Sequence, residues 1–255
     1  MDHATAATVI ANRVRAEDLK VKVFADGADL DGIRMLAADP RIAGFTTNPT
    51  LIAKAGITDY EEFARQTLKI VGDRPISFEV FADDFAEMGR EARLITAWGD
   101  EVYVKIPVTD TKGNSSADLI HELSSDGVKL NVTGLFTLEQ VAAVAAALEG
   151  GTAACVSLFA GRIADAGVDP VPIVVEAVAI LEPLPEVELI WASPREMLNL
   201  VQADQAGCHI ITVTHDLLAK LDLLGKDLNE FSLDTVRMFH NDAVEAGYQL
   251  ADVDV

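Results

Sequence analysis

Short hydrophobic runs and longer amphipathic stretches alternate along the chain. The short runs have the two-residue period of β-strands, and the longer stretches have the spacing of α-helices. The predicted strands are Val21–Ala25, Ala43–Thr46, Ile76–Val80, Val102–Ile106, Lys129–Val132, Ala153–Ser157, Val187–Trp191 and Cys208–Val213. The predicted helices begin near Asp29, Asp59, Asp83, Ser115, Thr137, Asp169, Pro194 and Thr214, with further amphipathic segments at Glu61–Val71 and Ser232–Gly247.

Eight strand–helix units joined by short connections predict a parallel sheet covered by helices. Eight units favour closure into a single-domain (β/α)8 TIM barrel spanning residues 1–255, with its core at about 21–222. An N-terminal extension precedes the barrel, and an extra helix at about 232–247 follows it, to cap the barrel or to pack against another subunit. The alternative is a doubly wound open sheet, which normally has a glycine-rich first turn that Asp26-Gly27-Ala28 does not provide.

Side-chain alternation places polar groups at the end of one face in five of the predicted strands. In a closed barrel one face of each strand points towards the helices, and the other points inward. Active sites lie at the carboxyl ends of barrel strands, so inward polar residues there are informative. These residues are Asp26, Glu79, Lys105, Asn131 with Thr133, and Ser157. They are predicted to converge on one point inside the barrel.

The predicted cluster is suited to carbonyl chemistry. A buried amine between carboxylates, surrounded by hydroxyl and amide groups, can form a Schiff base with a ketone. An ordinary lysine amine is neutral in only about one molecule in ~2,500 at pH 7, so such a site must favour the neutral amine. The alternative from the residues alone is a buried ion cluster of Lys105, Glu79 and Asp26 without chemistry.

Three residues of the predicted loops add binding capacity. Asn48 lies in the Thr46-Thr47-Asn48-Pro49 turn, Arg162 in the loop after the sixth strand, and Arg195 at the predicted helix start after the seventh. Guanidinium groups near a helix N-terminus make a good phosphate site, and barrels often bind phosphate on their later loops. The two arginines favour a phosphorylated ligand.

Composition limits the partners and the compartment. The 255 residues carry a formal net charge of −21 and a pI near 4.4, which disfavours nucleic acid and anionic membranes as partners. Cys155 and Cys208 lie in apolar runs without metal-ligand spacing and are predicted to be core thiols in a reducing compartment. No run approaches the ~20 apolar residues of a membrane span, and Met1–Arg15 lacks the apolar segment of a signal peptide, so a cytoplasmic location is expected.

Several segments, taken in order, resemble transaldolase. They extend over nearly the whole chain, from about Val21 to Leu250. The segments are Ala25-Asp26, Thr46-Thr47-Asn48-Pro49-Thr50-Leu51, Glu79-Val80, Val104-Lys105-Ile106-Pro107-Val108-Thr109, Asn131-Val132-Thr133, Ser157-Leu158-Phe159-Ala160-Gly161-Arg162-Ile163 and Ala192-Ser193-Pro194-Arg195. The most specific are the Thr-Thr-Asn-Pro turn, the lysine strand and the Ser-x-Phe-x-Gly-Arg-Ile loop.

The resemblance implies roles for these positions. Lys105 would form the Schiff base with a ketose donor, and Asp26 would take a proton from its C4 hydroxyl. Glu79, working through a water held by Thr133, would move protons during imine formation. The residues that would bind the dihydroxyacetone part are Asn48, Asn131 and Ser157, and those that would hold the sugar phosphate are Ser193, Arg162 and Arg195.

The resemblance also implies a reaction and an assembly. The family transfers a dihydroxyacetone unit between phosphorylated sugars of the pentose phosphate pathway, without a metal or an organic cofactor. Donors would be sedoheptulose 7-phosphate or fructose 6-phosphate, and acceptors glyceraldehyde 3-phosphate or erythrose 4-phosphate. Small members form homo-oligomers of five or ten subunits, which makes Phe231–Tyr248 a candidate assembly helix, although packing within one chain is equally allowed.

Two alternative functions stay open at this point. In the related fructose-6-phosphate aldolases, which release free dihydroxyacetone, glutamine takes the place of Glu79 and tyrosine that of Phe159, so this chain favours transfer. A non-catalytic phosphosugar-binding barrel is less favoured, because no catalytic position is degraded. Two departures from the family pattern are Leu158, where proline is usual, and Gly27, where threonine is common.

Overall fold

The computed structural model describes residues 14–249. Eight parallel strands pair in chain order and close into a barrel in which the eighth lies beside the first. The strands are β1 Lys22–Asp26, β2 Ile42–Thr46, β3 Ile76–Glu79, β4 Val102–Pro107, β5 Leu130–Leu135, β6 Ala154–Leu158, β7 Val187–Trp191 and β8 Ile210–Thr214. The predicted (β/α)8 barrel is confirmed, and the open sheet is wrong. Most of the predicted N-terminal extension lies outside the described residues.

Helices follow the strands and cover the barrel. Those of the barrel are α1 Leu30–Ala37, α2 Pro49–Lys54, α3 Tyr60–Val71, α4 Phe85–Thr96, α5 Ala117–Ser125, α6 Leu138–Leu148, α7 Ala160–Asp165, α8 Pro170–Leu181, α9 Leu198–Gln205 and α10 His215–Leu218. The helices predicted to begin near Asp29, Asp59, Thr137 and Asp169 do so, and each of these residues caps its helix by accepting a hydrogen bond from a backbone N–H of the first turn.

The structure corrects three predictions about helices. Asp84, not Asp83, caps α4, because the Asp83 carboxylate accepts hydrogen bonds from the backbone and hydroxyl of Thr111 instead. The helix predicted to begin at Pro194 begins at Leu198. The short helices α2 and α7 were not predicted, so Arg162 lies in a helix and not in a loop.

Alternating burial explains how the strands position a site. The outward apolar side chains of β4, β5 and β6 are fully buried beneath the helices. Inside the barrel, side chains towards the amino ends of the strands form an apolar cluster of Phe24, Cys155, Ile190 and Ile210, with Ala43 and Tyr103 packed against it. Polar side chains of the same inward face lie beyond this cluster, at the carboxyl ends.

Both cysteines are buried, as predicted. Cys155 belongs to the apolar cluster inside the barrel, and Cys208 donates weak hydrogen bonds to the carbonyls of Leu189 and Ile210. Burial raises the pKa of both thiols, that of Cys208 to about 12, so both are held as neutral thiols at physiological pH.

The chain divides into two compact units. One is the barrel unit, Glu17–Lys220, and the other contains the chain up to Ala16 and from Leu221 onward. The described part of the second unit includes a 3₁₀ helix at Leu221–Leu223 and the 18-residue helix α11, Leu228–Glu245, which begins earlier than predicted and has no buried residue. The prediction of a single domain stays a prediction. Among the described residues, no helix has the length and apolarity needed to cross a bilayer.

Candidate active site

A cavity of about 650 Å³ opens at the carboxyl ends of the strands. Its wall contains every residue that the sequence predicted for the site. These are Asp26, Asn48, Glu79, Lys105, Asn131, Thr133, Ser157, Phe159, Arg162, Ser193 and Arg195. Two other clefts, of about 580 and 620 Å³, lie near the amino ends of strands, beside Ala153 and Val187, and contain none of these residues.

The strand register brings Lys105 between two polar partners. Lys105 pairs with Glu79 on β3 and with Asn131 on β5, so the three side chains lie at one level of the barrel. The lysine is 8% exposed. Its Nζ lies 3.2 Å from Oε2 of Glu79 and donates a hydrogen bond of 2.7 Å to the carbonyl of Thr47. The cavity therefore presents an enclosed amine with a carboxylate within proton-transfer distance.

The Asp26 carboxylate lies at the end of β1. The hydroxyl of Thr46 donates to its Oδ1 at 2.8 Å, and Nδ2 of Asn48 donates to its Oδ2 at 3.1 Å. Burial raises the pKa of Asp26, while the charge of Lys105 and these two hydrogen bonds oppose the increase. Asp26 is thus a carboxyl group poised to exchange a proton.

Asn131 and Ser157 form a polar chain across the floor of the cavity. Oγ of Ser157 donates to Oδ1 of Asn131 at 2.8 Å, and Nδ2 of Asn131 donates to Oγ of Ser77 at 3.0 Å. All three side chains are buried, as is Thr133, which pairs with Pro107 one step further along β5. Because hydrogen bonds link Ser157, Asn131 and Ser77, the Asn131 amide and the two serine hydroxyls are held in defined orientations.

Tyr60 fixes the strand end that carries Glu79. Its hydroxyl accepts a hydrogen bond of 2.8 Å from the Glu79 backbone N–H and donates to the Glu79 carbonyl at 3.4 Å. The ring packs in an aromatic cluster with Phe63, Phe78 and Trp98. Burial raises the pKa of Tyr60 far above its ordinary value, so the hydroxyl stays protonated as the donor. No pattern along the chain indicates this contact between α3 and β3.

The two arginines lie on neighbouring segments of the rim. The guanidinium of Arg162, on α7, lies 5.2 Å from the centre of the Phe159 ring. Arg195 lies in the loop before α9, where Nε and Nη2 contact the Asp165 carboxylate at 2.5–3.1 Å. This pair is half exposed, and Arg195 lowers the pKa of Asp165. Both cations border the cavity, and Arg195 is paired with a half-exposed carboxylate.

The segment just before Arg195, which contains Ser193, is held in a strained conformation. Ser193 has φ of 57°, the only positive φ of a non-glycine residue in the described chain. A Cβ built on Gly161 would lie 1.5 Å from the Ser193 carbonyl oxygen, so only glycine allows this contact. Strain of this kind persists where the surroundings enforce it, and it often marks a binding site.

Some cavity residues were missed from the sequence. Thr212 contacts Thr46 through a hydroxyl–hydroxyl hydrogen bond of 2.5 Å, and Thr214 and Asp216 also line the wall. Alternation along β8 would have identified the two threonines. At the rim, Lys54 lies on α2 and Lys220 in the turn after α10, so alternation along the strands could not identify them. The described residues contain no group of three or more His, Cys, Asp or Glu side chains placed to hold a metal.

Fold and site together define a class: a (β/α)8 barrel with an enclosed lysine and two carboxylates at the carboxyl ends of its strands. The profile of the Transaldolase/Fructose-6-phosphate aldolase family matches residues 23–252. The chain belongs to this family of aldolase-type enzymes, as its sequence motifs predicted.

Relatives and a solved structure agree with this assignment. Proteins named probable transaldolase from Dehalococcoides mccartyi, Thermoanaerobacter sp. and Methanococcus maripaludis are 37%, 39% and 36% identical over 202 residues. These matches cover 79% of this chain and 89–90% of each relative. The crystal structure of a candidate phosphonomutase from Burkholderia cenocepacia J2315 has a TM-score of 0.52 at 12% identity, covers 96% of this chain and 99% of its own, and supports the fold alone.

Proposed function

We propose that the protein is a transaldolase that transfers a dihydroxyacetone unit between phosphorylated sugars through a Schiff base on Lys105. The observation that carries this proposal is the enclosed amine of Lys105, 3.2 Å from Glu79, in a cavity that also holds Asp26. The names of the relatives support transfer as the reaction. Donors are ketose phosphates such as fructose 6-phosphate, and acceptors are aldose phosphates of the pentose phosphate type.

The first half-reaction forms a covalent intermediate. The neutral amine of Lys105 attacks C2 of the ketose, and loss of water gives an imine. Glu79 transfers the protons of this step through a water molecule that Thr133 holds. Asp26 then takes the proton of the C4 hydroxyl. The C3–C4 bond breaks and the aldose phosphate leaves. The electron pair of the broken bond stays with the three-carbon unit and forms an enamine on Lys105.

The second half-reaction reverses these bonds with a new partner. The enamine carbon attacks the carbonyl carbon of the acceptor aldehyde, and Asp26 returns its proton to the new alkoxide. Water then hydrolyses the imine, which releases the product ketose and the free amine. Asn48, Asn131 and Ser157 are proposed to bind the dihydroxyacetone hydroxyls.

The proposed phosphate contacts are on the rim. Ser193, Arg162 and Arg195 border the same side of the cavity mouth, and each offers donors suited to phosphate oxygens. Phosphate would replace the Asp165 carboxylate on Arg195 or share the guanidinium with it. Lys54 and Lys220 add positive charge to the mouth.

Reductive trapping tests the proposal directly. Borohydride in the presence of fructose 6-phosphate should reduce the imine to a stable amine on Lys105, located by peptide mass spectrometry. Lys105→Met should abolish both adduct and transfer. The control is Lys129→Met, because Lys129 pairs with Glu101 and does not line the cavity. An adduct on another lysine, or no adduct in the wild type, would refute the mechanism.

An aldolase that releases free dihydroxyacetone is the second candidate, because the matching family includes both activities. The chain has a phenyl ring at Phe159, which packs against Phe136 and Arg162 and offers no hydroxyl to deliver a proton to the intermediate. We therefore expect slow release of dihydroxyacetone when the acceptor is omitted, and faster release in Phe159→Tyr. Many turnovers of the wild type without an acceptor would establish the aldolase instead.

We also propose that the protein is a homo-oligomer, with α11 packing on a second copy of the chain. Leu228, Val236, Phe239 and Val244 of this helix are all at least 60% exposed, as expected for a face that a partner covers. Phe239→Glu should reduce the mass measured by light scattering to that of a smaller assembly. An unchanged mass in this variant, or a monomeric wild type, would refute the interface.

A further inference from the structure

His215 is a half-buried residue next to the Asp26–Gly27 segment, which carries the proposed acid–base residue. It follows β8 as the first residue of α10, and the register pairs the preceding Thr214 with Asp26 on β1. His215 and Gly27 therefore continue two neighbouring strands past their paired ends. The imidazole does not line the cavity, so any effect on the reaction must pass through another residue.

Two glycines make room for the imidazole. A Cβ on Gly27 would lie 2.3 Å from Nε2 of His215, and one on Gly32 would lie 2.5 Å from Nδ1. Neither glycine has a positive φ that would by itself demand glycine. The absent side chains at Gly27 and Gly32 are thus needed to seat this ring, which gives the departure at Gly27 a physical reason.

The ring faces a strongly acidic neighbourhood. Asp26 on β1, Asp29 at the start of α1 and Asp216 on α10 all interact with its charge. Nε2 is buried and has no hydrogen-bond partner among the residues that the structure describes. A buried nitrogen without a partner is unfavourable, so its presence beside Asp26 calls for a physical explanation. Burial lowers the pKa of His215, and the three carboxylates oppose this decrease.

We propose that His215 is a positioning residue for Asp26, which packs against the Asp26–Gly27 segment and, when protonated, supplies a positive charge that keeps the Asp26 carboxyl ionised. The inference rests on the proposed function, because it needs Asp26 as the base in carbon–carbon cleavage. It extends that function by naming His215 as the group that keeps Asp26 in its ionised, basic form as the pH falls.

The expected effect has a definite sign. Burial favours the protonated form of Asp26, so acidification removes the base that the cleavage step requires. Protonated His215 adds a nearby cation, and this cation favours the Asp26 carboxylate. The acid limb of the kcat/KM profile therefore lies at lower pH with His215 than without it.

The test compares His215→Gln and His215→Phe with the wild type across the pH range. Both variants should shift the acid limb of kcat/KM to higher pH, so that each variant loses more activity relative to the wild type on the acid limb than at about pH 8. His121→Gln is the control, since His121 is exposed on α5 and outside the cavity, and it should keep the wild-type profile. Acid limbs that coincide with that of the wild type would overturn the proposal.

A second variant approaches the same contact from the other side. Gly27→Ala forces the imidazole away while keeping the histidine, and it should shift the acid limb in the same direction even if the His215 variants fold poorly. An unshifted limb in a folded Gly27→Ala protein would also overturn the proposal. Borohydride trapping separates the two hypotheses: a Lys105 adduct with an unshifted limb refutes only the role of His215, whereas no wild-type adduct refutes the proposed function.

Discussion

At Asp26 the protonation state that favours the folded protein differs from the one that the proposed reaction needs. Burial raises its pKa, yet the proposed cleavage step needs the carboxylate. The hydrogen bonds from Thr46 and Asn48, together with the charge of Lys105, favour the ionised form and partly offset the burial. A carboxyl group whose folded pKa is raised stabilises the protein at low pH, and this contribution is lost as the pH rises through the folded pKa.

Asp26→Asn should therefore separate activity from stability. The transfer rate should fall by about 10²–10⁴-fold, the usual contribution of a positioned acid–base group. The melting temperature at neutral pH should rise, because no buried carboxylate has to ionise. This gain should disappear towards the unfolded-state pKa of about 3.9, which melting curves across pH can follow.

Asp216 provides a matched control on the same cavity wall. A hydrogen bond from Thr214 lowers the pKa of Asp216, so its ionised form stabilises the folded protein at neutral pH. Asp216→Asn should bring no gain in melting temperature. If Asp26→Asn lowers the melting temperature at neutral pH as Asp216→Asn does, the hydrogen bonds to Asp26 outweigh its burial and the argument for a raised pKa fails.

Arg195 and Asp165 offer a second test at single residues. Their exposed ion pair competes with any phosphate for the guanidinium. An exposed ion pair is weak, so Asp165→Asn should lower the KM for fructose 6-phosphate by no more than a few fold. The KM for unphosphorylated fructose should not change. Equal changes for both sugars would exclude Arg195 as a phosphate ligand.

Alternation along single strands predicted most of the site. It located Lys105, Glu79 and Asn131, because residues that pair across neighbouring parallel strands point to the same face of the sheet. It did not reveal Tyr60 or the His215 seat, because these contacts join elements whose relative distance only the folded chain defines. The motif resemblance, and not the spacing, supplied the roles.

At the scale of elements, the structure corrects the segment after β7. Ser193-Pro194 has the signature of a helix start, but Oδ1 of Asn199 accepts hydrogen bonds from the backbone N–H groups of Arg195 and Glu196. This contact replaces the helix cap and keeps the segment open until Leu198. The sequence could not predict the delay, since it depends on the positive φ of Ser193 and the approach of Gly161.

Gly161→Ala tests whether that approach holds the Ser193–Arg195 segment, for which we propose phosphate binding. A methyl group 1.5 Å from the Ser193 carbonyl oxygen must displace backbone, at a cost of about 1–3 kcal/mol in the free energy of unfolding. The KM for phosphorylated donors should rise more than kcat falls. Chemical denaturation and steady-state kinetics measure the two effects.

Gly99→Ala is the appropriate comparison for this change. The nearest atom to its added Cβ would be 3.6 Å away, an ordinary van der Waals contact, and its φ is not positive. This variant should keep both stability and KM. A Gly161→Ala protein with wild-type stability and kinetics would show that the contact between α7 and the Ser193 loop is dispensable.

At the scale of the whole molecule, local and global charge have opposite signs. Acidic residues outnumber basic ones by 21, so ion pairing cannot neutralise the surface. Yet Lys54, Arg162, Arg195 and Lys220 all border one cavity. Repulsion among excess carboxylates destabilises the compact state, and salt screens it, whereas the enclosed contacts of the site are screened less.

Added salt should therefore stabilise this protein. Raising NaCl from about 0.1 M to about 1 M shortens the Debye length from about 10 Å to about 3 Å. If screening raises the free energy of unfolding by about 1 kcal/mol, the melting temperature rises by about 2–4 °C for a chain of this size. KCl at equal ionic strength should give the same increase, because screening depends on ionic strength and not on a bound cation. A melting temperature that falls with both salts would mean that attractive ion pairs dominate the surface despite the acidic excess, and an effect specific to one cation would mean that a bound ion is responsible.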